Sequence, residues 1–412
     1  MNNMRLLILA MIGLLQSNLF AHAENWDRFR GPNGAGQSDA TGIPTEWGKE
    51  NFLWRRELPG VGHSSPVVWG KIVFVTSGDR QTGEQIVQAF DALSGEPLWE
   101  RRFDGSTYSM HAHNCYASST PAADADHLYF MWLAEGGIKL VALTHHGDEV
   151  WRRDVGPFQE EHGFGKSPVV IGDLVYVAND NEAESQVLAF ERSTGEVRWR
   201  KERPSGTTAF ATPFVFEPGA KQKLLVTAST AAGVTAFDLD TGDVAWQGLE
   251  DDLPLRCLAS PVSSEKLILV MCGAGGNGKH LIAAKPQASG EGRRLQEVYR
   301  LRESIPNVPT PVVAGDLLFL WHDRGVVSCF DASTGDLHWR KRVGGDYHSS
   351  PIRIGDRIFG VSSEGEVVVL AADEEFKLLA RNPLGEPTRA TPAVAHGRLY
   401  LRTEESLICI GE

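Results

Sequence analysis

His111-x-His113-x-Cys115 is a short run of good metal donors. In an extended segment residues i, i+2 and i+4 face the same way, so two imidazoles and a thiol could meet one copper or zinc ion. No fourth ligand stands in the run, and loop histidines without one are ordinarily solvated, so no metal is assigned. Other signatures of chemistry are missing: there is no Gly-x-Ser-x-Gly elbow, P-loop, His-Glu-x-x-His or Cys-x-x-Cys. Five cysteines in 412 residues exclude a fold built on disulfides. Cys257 and Cys272 are close enough in sequence to meet across neighbouring strands, which leaves their pairing open. Cys329 and Cys409 sit mid-strand in apolar surroundings.

Any such groups must be positioned by the rest of the chain. Hydrophobic residues at 42% and charged residues at 23% allow a large core and exclude bulk disorder. A net charge of −13 argues against a nucleic-acid footprint over the whole surface. Residues 1–23 read as a signal peptide: Arg5, the apolar run Leu6 to Leu15, and Ala21-His22-Ala23 as the cleavage site. No later segment reaches the ~18 uninterrupted apolar residues of a membrane helix. The expectation is a secreted or periplasmic monomer, cleaved near Ala23, that is not an integral membrane protein. A short arm over 24–49 would precede one domain over 50–412.

That domain is repetitive. A hydroxyl residue followed by proline and an apolar strand recurs eight times: Ser65-Pro66, Thr120-Pro121, Ser167-Pro168, Thr212-Pro213, Ser260-Pro261, Thr310-Pro311, Ser350-Pro351 and Thr391-Pro392. Between these stands A-x-D-x-x-[ST]-G-x-x-x-W, complete from Ala89 to Trp99 and from Ala236 to Trp246. Ala189–Trp199 has Glu191 for Asp, and Cys329–Trp339 has Cys in the Ala slot. A turn one residue shorter, His145-His146-Gly147, leads to Trp151, with both histidines expected at the surface. Tyr299 and Leu379 stand roughly where two further tryptophans would be. Gly supplies the positive φ of each turn, and Asp accepts bonds from the turn backbone. The Ala slot wants a small side chain, which Cys329 and Cys409 can fill. Each Trp should pack between sheets with its N–H satisfied. Basic residues ending the Trp strands, such as Arg101-Arg102 and Arg152-Arg153, read as charge guards on outer edge strands.

Four short strands every ~40–50 residues is the propeller period. The fold expected is all-β: an eight-bladed β-propeller of four-stranded antiparallel blades. Its last unit lacks a Trp strand, and Phe52–Arg56 looks like the missing one, so the N-terminal strand should close the ring.

The repeat resembles the pyrroloquinoline-quinone (PQQ) type β-propeller, and Ala-x-Asp…Ser-Gly…Trp resembles the tryptophan-docking motif of quinoprotein dehydrogenases. The same repeat builds the outer-membrane assembly lipoprotein BamB, which is no enzyme. Trp26-Asp27-Arg28-Phe29-Arg30-Gly31-Pro32 is similar to the opening segment of a large secreted group of such propellers. The resemblance implies a binding or scaffolding module first, and a PQQ- and calcium-dependent oxidoreductase of alcohols or sugars as the alternative. The alcohol-type enzymes carry an adjacent cysteine pair, which this chain lacks. Fold alone does not decide between them. No cofactor is expected on the first reading.

In propellers the segments entering the innermost strands line the mouth of the central channel. Here they contain His63, Tyr116, His162, Lys166, Phe210, Arg256, Asn307, Tyr347, His348 and Arg389. Cationic groups would then converge in an acidic protein. A small anionic or carbonyl-bearing ligand, an acidic peptide, or a cell-envelope protein is the expected partner.

Overall fold

Burial differs by strand position in the computed structural model, which describes residues 25–219, 222–264, 267–273, 279–287 and 294–412. The signal-peptide reading therefore lies outside the described residues. In each unit the second and third strands are buried on both faces, as in Leu174–Asn179 and Ser185–Glu191. Only the fourth alternates: in Val197–Arg203 Trp199 is buried while its neighbours face solvent. Double burial of the middle strands requires sheets packed on either side, which a ring of blades provides.

Eight antiparallel four-stranded sheets form that ring. Blade 1 holds Val67–Trp69, Ile72–Gly78, Gln85–Asp91 and Pro97–Phe103. Blade 8 holds Ala393–Ala395, Arg398–Arg402 and Ser406–Ile410, and its outer strand is Phe52–Glu57. The closing strand pairs in register, Trp54 against Cys409 and Arg56 against Leu407. Blade 7 gains a fifth, parallel strand from the arm, Gln37–Ser38.

One contact recurs between neighbouring blades, although the expected bond fails at Trp246, whose buried indole N–H has no partner among the described residues. The indole N–H of Trp99 donates to the His145 carbonyl at 2.7 Å, Trp151 to Arg192 at 2.9 Å, and Trp199 to Leu239 at 2.8 Å. Each acceptor lies in the turn of the following blade. The turn glycine is the floor on which the ring rests: a Cβ on Gly195 would stand 2.6 Å from Trp151. Its φ of +70° adds the second reason for glycine. In blade 5 Tyr299 takes the Trp position, and its hydroxyl donates to the Ala332 carbonyl at 2.8 Å. The expectation for Leu379 fails, because Ala380 pairs with Val369 in the Trp register and Leu379 is exposed. The expectation for His145 also fails: its ring is half-buried against Phe74, 5.8 Å between centroids. The arginines ending the Trp strands do more than guard an edge. Arg101 and Arg153 donate to the turn carbonyls of Gly147 and Gly195 in the next blade, both at 2.9 Å.

The hydroxyls before the prolines form a belt around the axis, linked at six of the eight junctions among the described residues. The Ser65 N–H donates to Thr120 Oγ1, Thr120 to Ser167 Oγ, Thr212 to Ser260 Oγ and Ser260 to Thr310 Oγ1, at 2.9–3.0 Å. Thr310 and Ser350 continue it. These donors lie on the inner edge of each sheet, where no further strand can accept them. The neighbouring blade's hydroxyl does so, and proline next in line has no N–H to satisfy. All five cysteines are free thiols and all are buried, so Cys257 and Cys272 form no disulfide. Cys329 and Cys409 occupy the Ala slot, fully buried.

Candidate functional site

The axis is stoppered from one end. Trp26 pairs with Val68 at the inner strand of blade 1, and the chain then turns into the channel. Phe29 floors an axial chamber of about 130 Å³. Arg30 beside it is fully buried, and all five of its N–H groups have carbonyl partners: Gly34, Ala35, Thr310, Pro311 and Pro351, at 2.7–3.1 Å. The chamber is therefore a dead end that opens only where the chain enters the inner strands.

That opening has a rule of register. Three residues before the eight prolines stand His63, Ser118, Gly165, Phe210, Leu258, Val308, His348 and Arg389, and all eight line the chamber. The belt hydroxyls stand one residue before the prolines and line it below. An extended segment repeats every two residues, so only these two positions look at the axis. The ring is two-sided: His63, His348 and Arg389 belong to the adjoining blades 1, 7 and 8, and Phe210, Leu258 and Val308 to blades 4, 5 and 6.

Of the ten residues expected at the mouth, His63, Phe210, His348 and Arg389 line this chamber. Tyr116 lines the wider mouth above it, about 390 Å³, edge-to-face on Tyr108. His162 and Arg256 flank the opening and are tied to Glu160, at 2.7 and 2.6 Å. Lys166 is a correction. It stands two residues before its proline, points into the wall, and donates to the carbonyls of Asp180 and Ala209. Burial pushes its ammonium down to about 8. Tyr347 and Asn307 are corrections too, both four residues before a proline. Tyr347 is buried against Trp321, and the Asn307 N–H is held by Asp323 at 2.8 Å.

A feature outside the repeat completes the site. Residues 104–119, between blades 1 and 2, form a strap across the mouth. Its Ala117 carbonyl accepts the N–H groups of His63 and Ser64, and the Asn114 amide donates to the His162 carbonyl at 2.7 Å. The strap sets exposed His111 on His162, rings parallel within 4° and 5.5 Å apart. It sets His113 on His348 at 5.0 Å, with Nδ1 accepting from Arg389 at 3.2 Å. His111 and His113 lie 5.1 Å apart, so four imidazoles form a row over the opening. The donor run His111, His113 and Cys115 does not converge on one point. The rings stack instead of converging, and Cys115 is buried with Sγ 3.4 Å from Ser118 Oγ. Among the described residues the donor cluster that could hold an ion is Glu160, Glu161 and His162. Arg256 already pairs with both of its carboxylates.

Positive charge accumulates on one side. Burial, then Arg389, Arg402, His348 and Arg80, push His63 down to about 3. Burial, Arg389 and His113 push His348 down to about 4. Glu404 is shared by Arg389 at 3.1 Å and Arg80 at 3.8 Å. These histidines are neutral when folded and charge near 6.5 when unfolded, so stability is full above 6.5 and falls as pH drops toward 4. The denaturation midpoint should be lower at about pH 4.5 than at about pH 7.5. His63→Gln with His348→Gln should flatten that dependence, and an unchanged slope in the double variant would show that these rings do not cause it.

The fold and the docked tryptophans define a PQQ-type β-propeller. More particularly, the sequence profile of the family described as outer membrane protein assembly factor BamB matches residues 45–155 and 134–374, and the chain belongs to that family. BamB of Burkholderia pseudomallei is 23% identical over 354 residues, covering 83% of this chain and 82% of that protein. BamB of Moranella endobia is 26% identical over 254 residues, covering 57% of this chain and 61% of that one. The solved BamB of Moraxella catarrhalis superposes with a TM-score of 0.61 at 15% identity, covering 88% of this chain and 97% of its own. A europium-containing methanol dehydrogenase superposes with 0.69 at 12% identity, covering 96% and 99%. At these identities the solved structures share the fold.

Calcium beside a bound quinone, as the dehydrogenase resemblance implies, does not fit this mouth. Calcium takes six to eight oxygen ligands, mostly carboxylate. Imidazole and guanidinium dominate here, and Glu160 and Glu404 already face arginines. No redox step is derived.

Proposed function

We propose that this protein is an exported, cell-envelope β-propeller that works as a binding and scaffolding module, taking its partner at the strapped mouth. One observation carries the reading: the exposed strap residues and the two-sided ring meet over a chamber closed below by Phe29 and Arg30. A dead-end recess with convergent polar groups is a place for a ligand or a partner's protruding segment. Membership of the BamB family supports a role in assembling outer-membrane proteins. Among the described residues no helix is long and apolar enough to cross a membrane.

The test is a photo-crosslinking residue at Ala112, on the exposed strap, against one at Val244 on the rim of blade 4. In intact cells Ala112 should give a discrete adduct with an envelope protein of the outer-membrane assembly apparatus. Deletion of the gene should lower the amounts of outer-membrane barrel proteins. Adducts from Val244 alone, or unchanged barrel proteins on deletion, would count against the reading.

A further inference from the structure

The proposed binding at the mouth leaves the partner's chemistry open, and the ring over the chamber specifies it. Its two halves differ in kind. On one side His63, His348 and Arg389 converge, with His113 brought over them by the strap. On the other, Phe210, Leu258 and Val308 are half-buried and line the same chamber.

We propose that the chamber binds a carboxylate joined to an apolar group, with the carboxylate between Arg389, His63, His348 and His113, the apolar group against Phe210, Leu258 and Val308, and proton uptake by the imidazoles on binding. The inference rests on the reading that the mouth takes a ligand.

Three observations support it. First, the cations are under-neutralised. Arg389 and Arg80 share Glu404, and Nε of Arg389 is buried without a partner among the described residues. An oxyanion would supply the missing acceptor with a charge-assisted bond. Second, the donor set reads anions and excludes cations. His63 faces Arg389, Arg402, His348 and Arg80; His348 faces Arg389, His113, Asp323 and Asp346; His113 faces His111, His348 and Arg389. Third, the Arg389–His113 bond is a latch. The guanidinium has only donors, so His113 Nδ1 must be the unprotonated acceptor. Protonation of that nitrogen breaks the bond and frees an Arg389 N–H for a ligand. Burial first and the neighbouring cations second hold His63 and His348 neutral; a carboxylate beside these two rings offsets the cations, so binding and protonation favour each other. The apolar half removes hydrocarbon from water beside the charge, which selects an amphipathic acid over a bare anion.

Calorimetry of the protein tests this with three probes whose anionic groups do not titrate in the range used. Sulfate reads the cationic half. 3-Phenylpropanoate reads both halves as a free acid, and an octapeptide ending in leucine presents the same chemistry at a chain end. Phenylpropanoate should bind at least tenfold more tightly than sulfate. Both should bind at least fivefold more tightly at pH 6 than at pH 8, with net proton uptake in buffers of different ionisation enthalpy. The tighter of the acid and the peptide identifies the source. Phe210→Ala should reduce phenylpropanoate to the affinity of sulfate. Arg389→Ala should abolish binding of both, and Glu404→Gln should tighten it, a rise that misfolding cannot mimic. No binding of any probe, equal affinity at the two pH values, or weaker binding in Glu404→Gln would overturn the proposal. If the probes fail while the Ala112 adduct persists, the partner binds by other chemistry. If they bind and the adduct is absent, the scaffolding role falls instead.

Discussion

Trp151→Ala should lower the unfolding free energy by about 3–5 kcal/mol, the cost of emptying a large aromatic site in a core. The ring belongs to a buried cluster with Tyr129 and Leu140 of blade 2 and Val175, Leu188 and Phe190 of blade 3. It also rests on Gly195 and holds the Arg192 carbonyl. The substitution therefore loosens a junction between blades without touching either blade's own strand pairing. Trp151→Phe separates the contributions. It keeps most of the packing and loses the indole N–H, a bond worth about 1 kcal/mol. The urea midpoint should follow the order wild type, Phe, Ala. A Trp151→Ala protein as stable as wild type would show that the blades are joined elsewhere.

The second large effect is on the axis. Arg30→Ala removes five hydrogen bonds at once and leaves the carbonyls of Thr310, Pro311 and Pro351 facing a void. Each buried acceptor left without a donor costs about 1–3 kcal/mol. Burial pulls the guanidinium down to about 9, yet its five carbonyl partners hold it in place. Gly36 allows this packing, because a Cβ there would stand 2.5 Å from the Arg30 Nη2. Arg30→Lys keeps the charge but offers three donors in place of five, so it should recover only part of the loss. Both variants should open the floor beneath Phe29, read as faster exchange of amides at Thr310 and Ser350. Protection equal to wild type would mean that the arm does not secure the inner strands of blades 6 and 7.

The ring and its closure were legible because the signals are local. A turn needs its Gly and Asp within a few residues, and a doubly packed strand is apolar along its length. Both conditions recur in every unit. The docking role of the turn glycine was not legible, since the Trp it supports belongs to the preceding blade. The hydroxyl before each proline was visible as a pattern, yet its acceptor role depends on a neighbour some 40–55 residues away. The mouth was half-legible. His63, Phe210, His348 and Arg389 share one offset from their prolines, whereas Lys166, Asn307 and Tyr347 do not. That offset, a matter of residue numbers alone, separates the groups that face the axis from those that face the wall. The strap and the Arg30 plug follow no repeat. Their contacts are with distant blades, and sequence spacing carries no trace of them.

The closing strand has a consequence for the order of events during folding. Phe52–Glu57 meets its partner Ser406–Ile410 across some 350 residues, and Arg30 meets Pro351 across 321. Loop closure over such distances is slow and is rewarded late. Phe52–Glu57 must therefore wait, unpaired, until Ser406–Ile410 has been made. Until then the ring is an open stack with two bare faces, vulnerable to proteases and to pairing with other chains. The clasp makes the arrival of Ser406–Ile410, and not the formation of any earlier blade, the event that closes the ring.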